Sequence, residues 1–305
     1  MGIEITEFGA AELSEGLAAA VERAGQSTVT VHARARIPAS GIAWTADGVI
    51  LTCDHVVERD EDITIGLPDG RTVAATIAGR DAGSDLAVLR ADASGLTAAT
   101  RAAAGEVKVG HLALAVGRPS DEGVSASLGV VSTVRGPWRT FGGAVIDGYY
   151  RTDATFFPGF SGGPLVLADG RVAGINSSRL GRGAGLTIPA AAAAKVVEAL
   201  LAGGRLKRGY LGIGSQPVKL PAALAAELGG QESGLLIVTV EPGSPAEAGG
   251  VMLGDILVSI GEHTVTGTES LHLALGADSV GQPAAVIVMR GGAKRELTVT
   301  VGERA

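Results

Sequence analysis

The segment PGFSGGPL at 158–165 sets Ser161 among glycines between two apolar runs. A hydroxyl there has two readings. Glycine supplies positive φ and a short hydroxyl bonds nearby backbone, so the stretch suits an ordinary turn; the same turn can also raise a nucleophile. Attack on a peptide carbonyl needs a base beside the hydroxyl, a group orienting that base, and donors for the oxyanion. Each has a candidate. Gly159 lets the backbone bend so that the amides of Gly159 and Ser161 face one spot, an oxyanion hole. His55, in GVILTCDHVVE, follows an apolar run whose end would hold its ring; taken alone it reads better as an interior histidine bonded to a carbonyl. Asp85, in DAGSDLAVLR, opens another apolar run and would be carried inward, where a carboxylate facing the ring fixes its tautomer. Asp81, four residues earlier, fits a turn cap instead. His111 opens HLALAVG, and His263 and His272 fall far along the chain.

These residues need a frame. The chain has 305 residues, 46% apolar and 19% charged, enough for two globular domains. Its 47 glycines and 3% aromatics point to many short elements joined by tight turns. Net charge is −7, and no stretch interleaves Lys and Arg with aromatics, so no nucleic-acid partner is expected. Cys53 is the single cysteine, which excludes an internal disulfide and a cysteine-based zinc cluster. No cofactor or metal is called for. The N-terminus has no secretory pattern and no apolar run spans a bilayer, so the chain as written reads as cytoplasmic, or as periplasmic or membrane-associated had an N-terminal segment been removed.

AELSEGLAAAVERAG spaces Leu13, Leu17, Ala20 and Val21 on one helical face, with Gly25 as a stop. TVTVHARARI alternates as one half-buried strand over 28–37, with Val29, Val31 and Ile37 inward and Thr30, His32, Arg34 and Arg36 on the wet side. From GVILT onward, short β runs alternate with turns to about 190, and PDGR and ADGR join neighbouring runs as hairpins. That spacing predicts an all-β barrel or sandwich pair, since no helix-length crossovers separate the strands. The helix AAAAAKVVEALLAGG closes this part, and beyond RLKRGYLGI a second unit of mixed strand and helix begins.

GVILTCDHVV, DAGSDLAVL and PGFSGGPLV, in that order, resemble the trypsin-like serine proteases of the HtrA (Deg) family. The resemblance implies a mostly β protein: a chymotrypsin-like double β-barrel over 27–203 behind a leader helix at 1–26, a linker at 204–208, and a small α+β PDZ domain at 209–305. It implies His55, Asp85 and Ser161 as a catalytic triad between the barrels. Phe160 departs from the Asn more usual there, which leaves the resting state of the oxyanion loop open. Cys53 would sit beside the triad as a small buried filler. By position the substrate pocket would take Thr155, Phe156, Ile175, Ser177, Leu186 and Ile188. With no acidic residue at its base, small aliphatic side chains fit better than Lys or Arg.

RGYLGI, SPAEAGGVMLGDILVSIGE and TESLHLALG resemble a PDZ domain, which captures a peptide C-terminus as an added strand. The carboxylate loop would be Gly209, Tyr210, Leu211 and Gly212, with Leu211, Ile213, Leu271 and Leu275 as walls; Leu275 reads equally as core. The implied function is an ATP-independent serine endopeptidase acting on unfolded or tagged polypeptides and assembling as a homotrimer. The alternative is an inactive peptide-binding scaffold or chaperone.

Overall fold

Short runs rich in Val, Ile and Leu, broken by Gly and Asp turns, close into a barrel over residues 28–91. In the computed structural model its strands are β1 (Thr28–His32), β2 (Ala39–Ala43), β3 (Val49–Cys53), β4 (Ile63–Gly66), β5 (Thr72–Asp81) and β6 (Leu86–Ala91), in the order β1-β2-β3-β6-β5-β4. Residues 9–120, 122–140, 144–181, 185–203, 209–276 and 279–303 are described; the expected linker at 204–208 falls outside them. Val29, Val31, Ile50, Ile63, Ile65 and Leu89 fill the interior. A second barrel follows from β7 (Leu112–Ser120) and β8 (Gly123–Arg135). The pair β9 (Trp138–Arg139) and β10 (Val145–Ile146) forms a separate ribbon, and β11 (Tyr149–Thr152), β12 (Pro164–Leu167), β13 (Val172–Ser177) and β14 (Leu186–Pro189) complete the closure. Its order is β11-β14-β13-β12-β7-β8. Counted from each barrel's own first strand, the two orders are the same.

The hairpins PDGR and ADGR occupy equivalent places, joining β4 to β5 and β12 to β13, and they close identically. Leu67 donates its amide to Arg71 at 2.8 Å, and Leu167 to Arg171 at 2.9 Å. Gly70 and Gly170 take φ of +86° and +84°, the left-handed conformation this turn needs. Each aspartate then accepts its own arginine's amide at 3.0 Å.

Three sequence expectations change. The first strand ends at His32, and 33–37 is irregular; Ile37, expected inside, is exposed. Thr30, expected wet, is fully buried, as is Thr28, because the outer face of β1 is covered by neighbouring segments: Thr28 donates to Ala24 and Thr30 to Ser120. β2 had no alternation to betray it. ASGIA holds one large side chain, and Gly41 must stay bare because a Cβ there would lie 2.9 Å from Val31 Cγ2.

The leader helix is α1 (Ala10–Gly25), which packs Ala20 and Ala24 on Leu114, Val116 and Val166 of the second barrel. Leu13 stays exposed, and Gly25 ends the helix without a positive φ. α2 (Ala190–Gly203) buries its alanine and valine face against β5, β6 and β13.

The chain divides into two units, Met1–Arg205 and Leu206–Ala305. The second comprises β15 (Gly209–Tyr210), β16 (Ile213–Lys219), α3 (Ala222–Glu227), β17 (Ser233–Val240), α4 (Pro245–Ala248), β18 (Ile256–Ile260), β19 (His263–Thr264), α5 (Thr268–Ala274), β20 (Pro283–Arg290), β21 (Ala293–Thr300) and β22 (Gly302–Glu303). Its main sheet runs β16-β17-β18-β20-β21, which leaves β16 at an edge.

Asp255 anchors the turn into β18. It is buried, accepts two hydrogen bonds from Arg290 at 2.7 and 2.8 Å, and takes the Met252 amide at 2.8 Å. Burial pushes its carboxyl up, but the Arg290 bonds, the amide and the arginine charge outweigh this and hold it below the ordinary carboxylate value. A depressed folded pKa stabilises above the ordinary value and is lost as pH falls through the depressed one. Asp255→Asn should therefore cost about 2–3 kcal/mol at neutral pH, with the gap to the parent closing in acid. Urea unfolding read by amide exchange on peptides from 209–303 checks it, and an unchanged midpoint rejects the role.

Candidate active site

The loop between β11 and β12 carries Ser161 and is stapled to the first barrel. Ser40, on β2, donates its hydroxyl to the Gly159 carbonyl at 2.7 Å and its amide to the Ser161 carbonyl at 3.2 Å. That hydroxyl also accepts the Arg118 amide at 2.8 Å. The fit needs two glycines. A Cβ on Gly162 (φ +87°) would lie 2.1 Å from the Ser40 carbonyl oxygen, and one on Gly159 (φ +87°) would lie 2.5 Å from Pro119 Cβ. Between them Phe160 is wholly buried in the second barrel's core, edge-on to Phe157 at 5.4 Å. Gly117 makes its slot, since a Cβ there would lie 2.6 Å from Phe160 Cδ1. The apolar ring therefore anchors the loop by packing, where a polar side chain would do so by hydrogen bonding.

His55 sits on a single turn of 3-10 helix, Asp54–Val56, directly after β3. Its Nδ1 lies 2.9 Å from Asp85 Oδ2 and 3.0 Å from Oδ1, and its amide donates to Oδ1 at 3.0 Å. Asp85 is fully buried and holds φ +58°, a conformation that Asp tolerates better than most residues. Ser177, across on β13, donates its hydroxyl to Asp85 Oδ2 at 2.5 Å. Asp81 accepts the Ser84 amide at 2.7 Å, the turn cap expected of it.

Ser161 and His55 line one cleft of about 660 Å³ with Arg34, Arg36, Ile37, Phe156, Phe157, Pro158, Gly159 and Ser178. No hydrogen bond joins Ser161 to His55. The Ser161 hydroxyl lies 2.9 Å from the Ser178 hydroxyl and accepts the Ser178 amide at 3.2 Å. Around it the amides of Phe160, Gly162 and Gly163 go to the carbonyls of Phe157, Asn176 and Phe160. Among the described residues those of Gly159 and Ser161 go to no backbone carbonyl.

The expected pocket is placed differently. Phe156 lines the cleft, but Ile175, Leu186 and Ile188 are buried in the barrel and Ser177 is turned onto Asp85. Thr155 is exposed, its carbonyl taken by the Ser127 hydroxyl. In a closed barrel apolar residues also fill the far face of a strand, so their presence does not mark a cleft.

Cys53, His55 and Asp85 offer donor atoms within 4.8 Å of one another. The Cys53 thiol, pushed well up by burial and then by the Asp85 charge, stays protonated and donates to the Asn176 carbonyl at 3.3 Å. Asp85 is taken up by His55 and Ser177. The cluster is a hydrogen-bonded unit with Cys53 as its filler.

In the second unit Leu211, Leu271 and Leu275 are core residues, and Ile213 alone of the expected walls is half-buried. Gly209 spends its amide on the Leu275 carbonyl at 3.1 Å. Tyr210 pairs with Gly302 and donates its hydroxyl to Glu241. Gly212 takes φ +76°.

Residues 39–175 match the trypsin-like peptidase domain and residues 209–301 match the PDZ domain. A probable periplasmic serine endoprotease, DegP-like, from Halomonas elongata is 36% identical over 270 residues, covering 87% of this chain and 56% of that protein. Its counterpart in Ectopseudomonas mendocina is 34% identical over 268 residues, covering 86% and 56%. The chain thus spans little more than half the length of these relatives. Among solved structures, the HtrA-type protease AlgW with tripeptide superposes with a TM-score of 0.80 at 31% identity, covering 95% of this chain and 97% of that one. The serine endoprotease from Yersinia pestis gives 0.77 at 30% identity, covering 94% and 97%. The relatives are named periplasmic, which lends no support to a cytoplasmic location, and no helix among the described residues is long and apolar enough to cross a membrane.

Proposed function

We infer the function from one premise: the chain belongs to the HtrA (Deg) family of trypsin-like serine proteases, with a double-barrel protease fold followed by one PDZ unit. It is an ATP-independent serine endopeptidase acting on unfolded or damaged polypeptides in the periplasm. The observation carrying this reading is the His55–Asp85 pair at 2.9 Å, opening on the cleft that holds Ser161.

Ser161 attacks the scissile carbonyl while the outer ring nitrogen of His55 takes its proton. Asp85 holds the tautomer and stabilises the imidazolium. The amides of Gly159 and Ser161 face the oxyanion, and His55 then protonates the leaving amine before water releases the acyl group. The Ser161 hydroxyl must first turn from Ser178 towards His55, a step between staggered rotamers. Catalytic hydrogen bonds that are loose at rest and tighten with substrate are usual.

Peptide C-termini add as a strand beside the free edge of β16, next to α5, with Gly209, Tyr210, Leu211 and Gly212 at the carboxylate end. Residues 1–26 serve as a leader and 204–208 as a linker. The chain assembles as a homotrimer to which α1 contributes; sedimentation velocity returning a monomer rejects that.

One experiment tests the activity. The parent should cleave an unfolded protein and be labelled by a fluorophosphonate, and Ser161→Ala should do neither. Ser178→Ala should be labelled up to about five-fold faster, because one hydroxyl pair is worth about 1 kcal/mol. A parent that neither cleaves nor labels sinks the reading in favour of an inactive scaffold.

A further inference from the structure

The cleft holds charge that the hydrolytic machinery leaves unused. The irregular connection between β1 and β2 brings Arg34, Arg36 and Ile37 to the same lining as His55 and Ser161. Arg34 is half-buried and held from behind: its Nε donates to the Ile37 carbonyl at 2.6 Å and one terminal nitrogen to that of Pro38 at 3.5 Å. A guanidinium has five N–H donors, so most of its fork stays open. Arg36 is exposed and makes no hydrogen bond or ion pair among the described residues.

Elsewhere several arginines are matched: Arg80 pairs with Asp54 and Asp60, and Arg71 and Arg171 pair with Asp69 and Asp169 at the hairpins. No carboxylate among the described residues pairs with Arg34 or Arg36, and none lines the cleft. In a chain of net charge −7 this is a local positive site, set against apolar Ile37, Phe156 and Phe157. Phe156 and the carbonyl-held Arg34 are pre-positioned, so little order is lost when a carboxylate arrives.

Resting on the hydrolytic reading above, we propose that Arg34 and Arg36 are specificity residues that recruit an acidic side chain, Asp or Glu, within two residues of the scissile bond. The Arg34 fork matches a carboxylate, and Arg36 adds field and a second donor. The apolar lining would keep small aliphatic groups at neighbouring positions, so the preferred substrate segment joins a carboxylate to aliphatic side chains.

The test uses the full chain and fluorogenic peptides identical except for Glu or Gln, walked through the two residues on each side of the bond, with the cut located by product masses. At one or more positions the Glu peptide should show about five- to ten-fold higher kcat/KM, and the ratio should shrink at high salt as the charges are screened. Arg36→Gln, which removes a side chain with no hydrogen bond or ion pair among the described residues, should lower the ratio, and Arg34→Met with Arg36→Gln should bring it near one. Arg36→Glu should favour a Lys peptide over Glu. A ratio near one at every position in the parent, or one surviving the double variant, overturns the proposal. Fluorophosphonate labelling of the same preparations keeps the two readings apart. A labelled parent without preference rejects the arginine site alone, and an unlabelled parent rejects the hydrolytic reading.

Discussion

Asp85→Asn should slow peptide hydrolysis about ten-thousand-fold, the effect of presenting the wrong tautomer to the nucleophile, while the fold persists. The carboxylate accepts from the His55 ring, the His55 amide and the Ser177 hydroxyl, and it is wholly buried. An amide of the same shape keeps an oxygen for part of this set but turns an NH₂ towards a partner that donates. The ring must then flip its proton to the outer nitrogen, where it can no longer take one from Ser161. Stability should fall less than activity, because the Asp85 carbonyl still accepts the Asp54 amide at 3.0 Å and the strand beyond is unchanged. Steady-state cleavage of a fluorogenic peptide, beside a thermal melt of the same sample, checks both halves. Activity within ten-fold of the parent would remove Asp85 from the mechanism and leave it a structural acceptor.

The second large effect is expected at Phe160. Phe160→Asn, which installs the residue more usual in relatives, should destabilise by about 4 kcal/mol or more, combining loss of a buried ring with burial of an unmatched amide. The ring is 0% exposed and its slot is shaped by Gly117. Labelling at Ser161 should fall steeply, because the flanking amides of Gly159 and Ser161 lose their anchor. Gly117→Ala tests the same contact without emptying the core. Its Cβ would press on the ring, so labelling should drop while most of the stability remains. Parent-like labelling in Gly117→Ala, or a stable and active Phe160→Asn, would mean that the staples from Ser40 hold the loop without the ring.

His55, Asp85 and Ser161 could be picked out as candidates because each stands at a junction between an apolar run and a turn. His55 alone read as an interior histidine, however, and only the resemblance carried by the three motifs in order joined them as a proposed triad. The barrels were legible through evenly spaced strands and repeated Asp-Gly turns. What stayed hidden depends on partners distant in sequence. Ser40 is one small polar residue in ASGIA, and nothing local tells that its hydroxyl and amide hold the Ser161 loop. Ser177 could be read as a pocket residue but not as a donor to Asp85, since that bond joins residues 92 positions apart. Ile175, Leu186 and Ile188 were misread because hydrophobic alternation reports burial without saying which side is buried. Arg34 and Arg36 read as a wet strand face, whereas the chain leaves the strand at His32 and turns them to the cleft.

The matching strand orders of the two barrels bear on biosynthesis. Each half can seal its own hydrogen-bond network as it leaves the ribosome, yet the earlier half emerges with an imidazole and a carboxylate but nothing to activate, and the later half supplies the hydroxyl. On the proposed mechanism, a chain that ends with the first barrel holds the base and its partner without the hydroxyl, so cutting ability is withheld from every product of translation that stops short of the second.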